Sequence, residues 1–256
     1  MNDYKLLRKN SPLVFAAKKN DCIATVHSSL PAIYYKNFDI NEFIGEQLAS
    51  IRELKSNHYF PVSFSRDARN NLDNYSFCRS NIKVGSFDFM KKGREYYTAT
   101  QLPFYFDKLP FEELLELCLD DQNRVELINE NLEMMALDIY MSQWDRGGNT
   151  YYEFFPNGEI HLAPIFDYEA SMEKLDAGDI EYTSDFFQFM TIDDYHEMMV
   201  KYPQFREMLQ SYLNTDLESQ LRSMCRSRQF NFSSIDIDSY RRYDEVSHKK
   251  LEKILK

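Results

Sequence analysis

Asp145, Asn149 and Asp167 are three hard-oxygen side chains within one segment, SQWDRGGNTYYEFFPNGEIHLAPIFDYEAS, which runs from Ser142 to Ser171. Apolar runs alternate with these polar positions. Two carboxylates and an amide therefore stand at the ends of elements that read as buried. Magnesium prefers hard oxygen ligands and usually takes one or two carboxylates together with phosphate oxygens. Phosphoryl transfer needs a carboxylate facing a hydroxyl nucleophile, an amide and a second carboxylate on the metal, and a lysine at the phosphates. A polar turn accounts for the DRGGN stretch taken alone, because Gly and Asn are turn formers. A metal–phosphate site accounts for all three residues together.

The elements around them decide whether they meet. TYYEFF and IHLAPIF read as short strands joined by PNGE, and an Asn-Gly pair is a strong hairpin signal. An antiparallel hairpin brings its two ends together. Asn149 at the entrance and Asp167 at the exit would then share one end, with Asp145 just before them facing the same cavity. Upstream, FEELLELCLDD and QNRVELINENLEMMALDIYMSQW predict helices, the second with Val125, Ile128, Leu132, Met135 and Ile139 on one face. Before that, CIATVHS, PAIYYK, YFPVSFS, YSFCRS, NIKVGSFDFM and EYYTATQL read as strands. NFDINEFIGEQLASIRELK reads as the one helix among them, capped by Asp39 or Asn41, with Ile44, Leu48 and Ile51 at helical spacing. After about Thr191 four helical stretches follow: IDDYHEMMVKY, FREMLQSYLN, LESQLRSMCRS and SHKKLEKILK. The locally basic end, RRYDEVSHKKLEKILK, is expected to be a solvated terminal helix, with docking of an acidic partner as the other reading.

Composition limits the function classes. The 256 residues suit one large domain or one domain of two lobes, and 20 Phe with 18 Tyr supply ample core material. A net charge of −11 argues against sequence-independent nucleic-acid binding, which needs a basic footprint. Cys22, Cys78, Cys118 and Cys225 are scattered with no zinc spacing, so reduced thiols in a cytoplasmic protein are expected. The first residues lack a long apolar core, and no run reaches the length of a membrane span; neither a signal peptide nor a membrane segment is expected.

The segment DRGGN…LAPIFDYE resembles the catalytic segment of the HipA-like kinases, a bacterial branch of the protein-kinase-like fold. That family carries D-R-H-x-x-N, a hairpin, and then a segment like L-A-P-L-Y-D. The resemblance implies Asp145 as catalytic base, and Asn149 and Asp167 as Mg2+ ligands. Upstream, AIYYKNFDINEFIGEQLA resembles the family's strand lysine followed by N-E at the start of a helix. This implies Lys36 as the phosphate-binding lysine and Glu42 as its ion-pair partner, with Glu46 one turn later as the alternative. IKVGSFDF resembles the hinge strand, where the backbone of Gly85, Ser86 and Phe87 would meet adenine. TVHSSLPA takes the place of the phosphate-covering loop, which puts Ser28 and Ser29 at the phosphates.

The implied fold is α+β and two-lobed, a single HipA-like kinase domain over 1–256. A β-rich N-lobe with one helix covers about 1–84, a hinge and crossover 85–110, and a mainly helical C-lobe 111–256. The chain starts close to the kinase core, so a compact form without the family's usual N-terminal subdomain is implied. The implied activity is an ATP/Mg2+-dependent serine/threonine protein kinase, with an antitoxin-like or regulatory protein partner. Three departures keep other readings open. The Asp145-to-Asn149 interval is one residue shorter than in D-R-H-x-x-N, the His is absent, and TVHSSLPA has no glycine. A pseudokinase binding nucleotide or a partner is the main alternative; transfer of AMP, or phosphorylation of a small molecule, is the third. Glu169, two residues after Asp167, is either a further acidic ligand or an exposed residue. Trp144 and His161 read as structural. Lys36 and the helix glutamates also admit a plain solvent-facing reading.

Overall fold

The computed structural model describes residues 4–6, 14–18, 22–27, 30–37, 39–63, 82–87, 89–91, 93–99, 109–143, 145–168, 170–172, 190–228, 230 and 235–256. The chain forms two compact units, Met1–Ile40 with Asn57–Met90 and Asn41–Ser56 with Lys91–Lys256.

The first unit is a six-stranded antiparallel sheet. Its strands are β1 (Tyr4–Leu6), β2 (Val14–Lys18), β3 (Cys22–His27), β4 (Leu30–Asn37), β5 (Tyr59–Ser63) and β6 (Ile82–Phe87), in the order β1-β2-β3-β4-β6-β5. Ile23, Thr25 and Val26 in β3 and Ile33, Tyr34 and Tyr35 in β4 are β-branched or aromatic, the types that a pleated surface favours. Pro61 lies in β5, an edge strand, where a missing N–H is tolerated. The β4–β6 register sets Lys36 opposite Val84, Tyr35 opposite Gly85, Tyr34 opposite Ser86 and Ile33 opposite Phe87. The predicted strand YSFCRS lies outside the described residues.

The second unit contains α1 (Ile40–Ile51) from Asn41 onward, although its sequence sits among the strands. The helix starts at Ile40, so Asp39 occupies the cap position. Asn41 instead bonds outward: its amide donates to the Ser171 carbonyl at 2.7 Å and accepts from the Tyr240 hydroxyl at 2.9 Å. Phe43, Ile44, Leu48 and Ala49 are buried, whereas Ile51 is exposed.

Gly45 marks a close approach on the same helix. A Cβ built there would lie 2.2 Å from Cγ of the fully buried Tyr168 ring. Alanine would gain about 1 kcal/mol of helix propensity. Displacing a packed ring typically costs about 1–3 kcal/mol, so sterics win. Gly45→Ala is expected to destabilise the protein, read as a lower denaturant midpoint; a raised midpoint would refute this packing.

FEELLELCLDD forms an eight-residue 3-10 helix, Pro110–Leu117, rather than an α-helix. The long helix α2 (Asp121–Met141) follows, its start capped by the Asp120 side chain accepting from the Asn123 N–H. Leu132, Met135 and Ile139 of the expected apolar stripe are buried, but the first half of the helix turns a different face inward. Val125 is half exposed, while Asn123, Leu127 and Asn131 turn inward at four-residue spacing. The reason is the hairpin packed on that face, whose edge needs hydrogen-bond partners. The Asn123 amide donates to the Ile160 carbonyl at 2.8 Å and accepts from its N–H at 3.0 Å. Asn131 accepts from the buried Tyr152 hydroxyl at 2.9 Å. Glu130 accepts from the Leu162 N–H at 2.8 Å and from Lys55 at 2.9 Å, with His161 3.3 Å away.

The hairpin is β8 (Tyr151–Phe154) and β9 (Ile160–Leu162). Phe155 and Glu159 close its loop, and Gly158 takes φ +95°, which glycine adopts without strain. EYYTATQL contributes β7 (Glu95–Thr98), but it joins this hairpin as β7-β8-β9 rather than the large sheet.

Helices α3 (Ile192–Lys201), α4 (Pro203–Leu213), α5 (Leu217–Arg228) and α6 (Ile237–Leu255) complete the unit. The terminal helix is not the solvated one expected from its charges, for Tyr243, Ser247, Lys250, Leu251 and Ile254 are buried. It closes the C-terminus of α2, where carbonyls lack partners within the helix. The Tyr243 and Ser247 hydroxyls both donate to the Tyr140 carbonyl, at 3.0 and 2.7 Å, and Lys250 donates to the Ser142 hydroxyl at 2.5 Å. Among the described residues, no helix is long and apolar enough to cross a membrane.

Burial pulls the Lys250 ammonium down to about 7. An unfolded lysine titrates near about 10.4. Between those values the unfolded chain holds a proton that the folded protein lacks, so stability rises with pH. Denaturation from about pH 7 to about pH 9 is expected to show this rise, and Lys250→Met to flatten it. Equal slopes in the two proteins would refute the assignment.

Candidate active site

The site grows from the end of α2. Ser142 ends the helix in the left-handed region, φ 46°, and turns the chain so that the Gln143 N–H bonds the Asp138 carbonyl at 3.0 Å. Residues Gly147–Asn149 then make one 3-10 turn into β8. Asn149, at its end, and Asp145, two residues before its start, are half-buried. The Asn149 amide nitrogen donates to the Asp145 carbonyl at 2.9 Å, and the Asn149 N–H bonds the Arg146 carbonyl at 3.0 Å. With its nitrogen so engaged, the amide oxygen is the acceptor that the Asn149 side chain has left to offer. The shortened DRGGN spacing therefore still closes a turn in which Asp145 and Asn149 are neighbours.

Asp167 is half-buried in the segment that follows β9, with φ 64°. The exit chain is pinned to the loop after α1, because the Ile165 N–H bonds the Lys55 carbonyl at 2.9 Å and Ser56 bridges parallel to Ile165. Two buried side chains from the turn reach across to it. The Gln143 amide donates to the Asp167 carbonyl at 2.5 Å, and Arg146 Nη1 donates to the Phe166 carbonyl at 2.7 Å. Residues 143 and 146 bracket Asp145, so these bonds hold Asp145 and Asp167 at the same end of the hairpin.

Arg146 is fully buried and forms a bidentate pair with the equally buried Asp138 of α2, with Nε–Oδ2 and Nη2–Oδ1 both 2.9 Å. Burial pushes the Asp138 carboxyl up, and the Arg146 guanidinium opposes that shift. Gln143, Arg146 and Asp138 lie outside the predicted set, yet they assemble it. Asp138 is the legible one, a lone charge inside the apolar run MMALDIYM.

Glu42 is also fully buried, and its Oε2 accepts from the Tyr168 N–H at 3.0 Å. The carboxylate implied to pair with Lys36 therefore holds the peptide after Asp167. Glu46, the alternative, pairs with Arg228 at 2.6 Å. In the sheet unit, Lys36 and the Gly85–Phe87 segment occupy adjacent strands β4 and β6. Ser28, Ser29, Trp144 and Glu169 lie outside the described residues.

Among the described residues, no group of three His, Cys, Asp or Glu could hold a metal ion. A cation here would rest on the Asn149 amide oxygen and the Asp167 carboxylate. Two hard protein oxygens completed by phosphate are the set that magnesium takes, so the residues present fit that ion.

No family model matches the sequence, and no curated protein does. Solved structures do match. HipA of Shewanella oneidensis MR-1, determined in a complex with HipB and operator DNA, aligns over 95% of this chain at 13% identity with a TM-score of 0.55. That alignment covers 62% of the HipA chain, so this chain spans less than two thirds of its length. The Helicobacter pylori proinflammatory kinase CtkA aligns over 92% of this chain and 93% of its own at 15% identity, with a TM-score of 0.43. At such identity the HipA likeness shows the fold: this chain folds like HipA.

Proposed function

We propose that this HipA-like chain is an ATP- and magnesium-dependent phosphotransferase acting on serine or threonine of a protein. The observation that carries the reading is the arrangement at the hairpin end. Asn149 is turned by its bond to the Asp145 carbonyl, and Asp167 is tied to the same turn through Gln143.

In this reading the Asp145 carboxylate orients the substrate hydroxyl and accepts its proton. The Asn149 amide oxygen and the Asp167 carboxylate would hold magnesium, which supplies positive charge against the phosphates. Lys36 meets the phosphates from β4, and the backbone of Gly85, Ser86 and Phe87 meets adenine from β6. Ser28 and Ser29 belong to the same proposal as phosphate contacts, and so does the division into a 1–84 N-lobe, a hinge and a C-lobe. HipA in the matching structure is bound to HipB, and a regulatory protein partner of that kind is proposed for this chain too.

Two measurements test the reading together. Titration calorimetry with a non-hydrolysable ATP analogue is expected to show binding that strengthens with magnesium. Incubation with γ-labelled ATP is expected to place label on serine or threonine. Absence of magnesium-dependent binding would overturn the site. Binding without transfer would make the chain a pseudokinase, the outcome that the shortened turn and the glycine-free TVHSSLPA would favour.

A further inference from the structure

Asp167 has a backbone that a non-glycine residue seldom adopts, φ 64°. Left-handed geometry is open to Asp at a lower cost than the roughly 1–2 kcal/mol of an ordinary L-residue, and the bonds on either side of residue 167 select it. The two peptide groups on either side of its α-carbon are held by three buried side chains from different places. Arg146 donates to the Phe166 carbonyl, Gln143 to the Asp167 carbonyl, and Glu42 accepts from the Tyr168 N–H. Arg146 acts on the peptide before the α-carbon of residue 167, whereas Gln143 and Glu42 grip the carbonyl and the N–H of the peptide after it.

We infer that Gln143 is a positioning residue that holds Asp167 in its left-handed conformation and so aims its carboxylate. A change of φ at 167 to the ordinary negative range would redirect the Cα–Cβ bond and carry the carboxylate elsewhere. Gln143 suits the task. It is fully buried, and its own peptide is fixed by the bond to the Asp138 carbonyl. Its amide supplies the donor that a carbonyl requires without burying a second charge beside the Asp138–Arg146 pair. This inference rests on the reading of Asp167 as a magnesium ligand.

The test uses the full chain with Gln143→Met, which keeps length and volume but removes the donor, and with the isosteric Gln143→Glu, which sets an acceptor against the carbonyl. The first readout is backbone hydrogen exchange without metal or nucleotide. Losing one buried hydrogen bond should speed exchange about ten-fold, and the increase should be confined to residues 166–168. The second readout is the magnesium concentration at half-maximal analogue binding, which should rise about ten-fold while metal-free analogue affinity stays unchanged. Exchange that is unchanged, or that rises equally throughout the unit, would overturn the positioning role. So would an unshifted magnesium dependence in a wild type that does bind the magnesium complex. Should the wild type bind no magnesium–nucleotide, the functional reading fails, and the exchange result alone decides whether Gln143 sets the backbone at 167.

Discussion

Asp145→Asn is expected to lower phosphate transfer by at least about 100-fold while leaving magnesium–nucleotide affinity within about two-fold of wild type. The amide cannot take a proton, yet it matches the carboxylate in shape. The group that Asn149 bonds at position 145 is the backbone carbonyl, which the substitution does not touch. Asp167→Asn is expected to lose transfer to a similar extent by a different route, because it discharges the proposed metal ligand and so removes the magnesium-dependent part of nucleotide binding. Asparagine is the informative choice at 167. With φ at 64°, alanine would add backbone strain, whereas Asn tolerates the left-handed region as Asp does. Both variants should therefore unfold within about 0.5 kcal/mol of wild type. Transfer at the wild-type rate in either variant would remove that residue from the mechanism.

The legible part of this site is what rests on periodicity and turn chemistry. PNGE between two apolar runs announces the hairpin, which returns the chain toward the end where residue 149 enters it. The buried face of α2 is legible only in its second half, where Leu132, Met135 and Ile139 are buried as their spacing predicts. In the first half Val125 and Ile128 keep the apolar period, but the edge backbone at Ile160 and the buried Tyr152 hydroxyl need partners, and Asn123 and Asn131 take the inner positions to supply them. Tertiary need overrides pattern there, as it does in α6. That helix looks solvated by charge count, yet Ser247 and Lys250 are drawn inside by the open carbonyl end of α2. Gln143 carries no signal at all. A single glutamine after a serine has no period, and its importance comes from the left-handed Ser142 that turns the chain toward Asp167. Glu42 does carry a signal, for the resemblance singles it out, and one oxygen of its carboxylate holds the Tyr168 N–H.

Arg146→Ala is expected to be the most destabilising single change at the site. Arg146 and Asp138 are both fully buried and doubly bonded. The intact pair is weak evidence of net stabilisation, because desolvating two ions offsets much of their attraction. Breaking it is another matter, for alanine strands the Asp138 carboxylate in the core and leaves the Phe166 carbonyl without the Arg146 donor. Removing one partner of such a pair costs about 3–5 kcal/mol, or roughly 10 °C in melting temperature for a chain of this size. The double variant Asp138→Leu with Arg146→Met separates the two jobs of the arginine. Apolar side chains of similar volume commonly match a buried ion pair in stability, so most of the loss should be recovered. Transfer should stay low, because neither replacement donates to the Phe166 carbonyl and the segment leading into Asp167 remains unheld on that side. Denaturant unfolding and transfer assays on the wild type, the single and the double variant check this. Recovery of stability and transfer together would show that Arg146 only fills space, whereas recovery of stability alone makes its grip on the Phe166 peptide part of the chemistry.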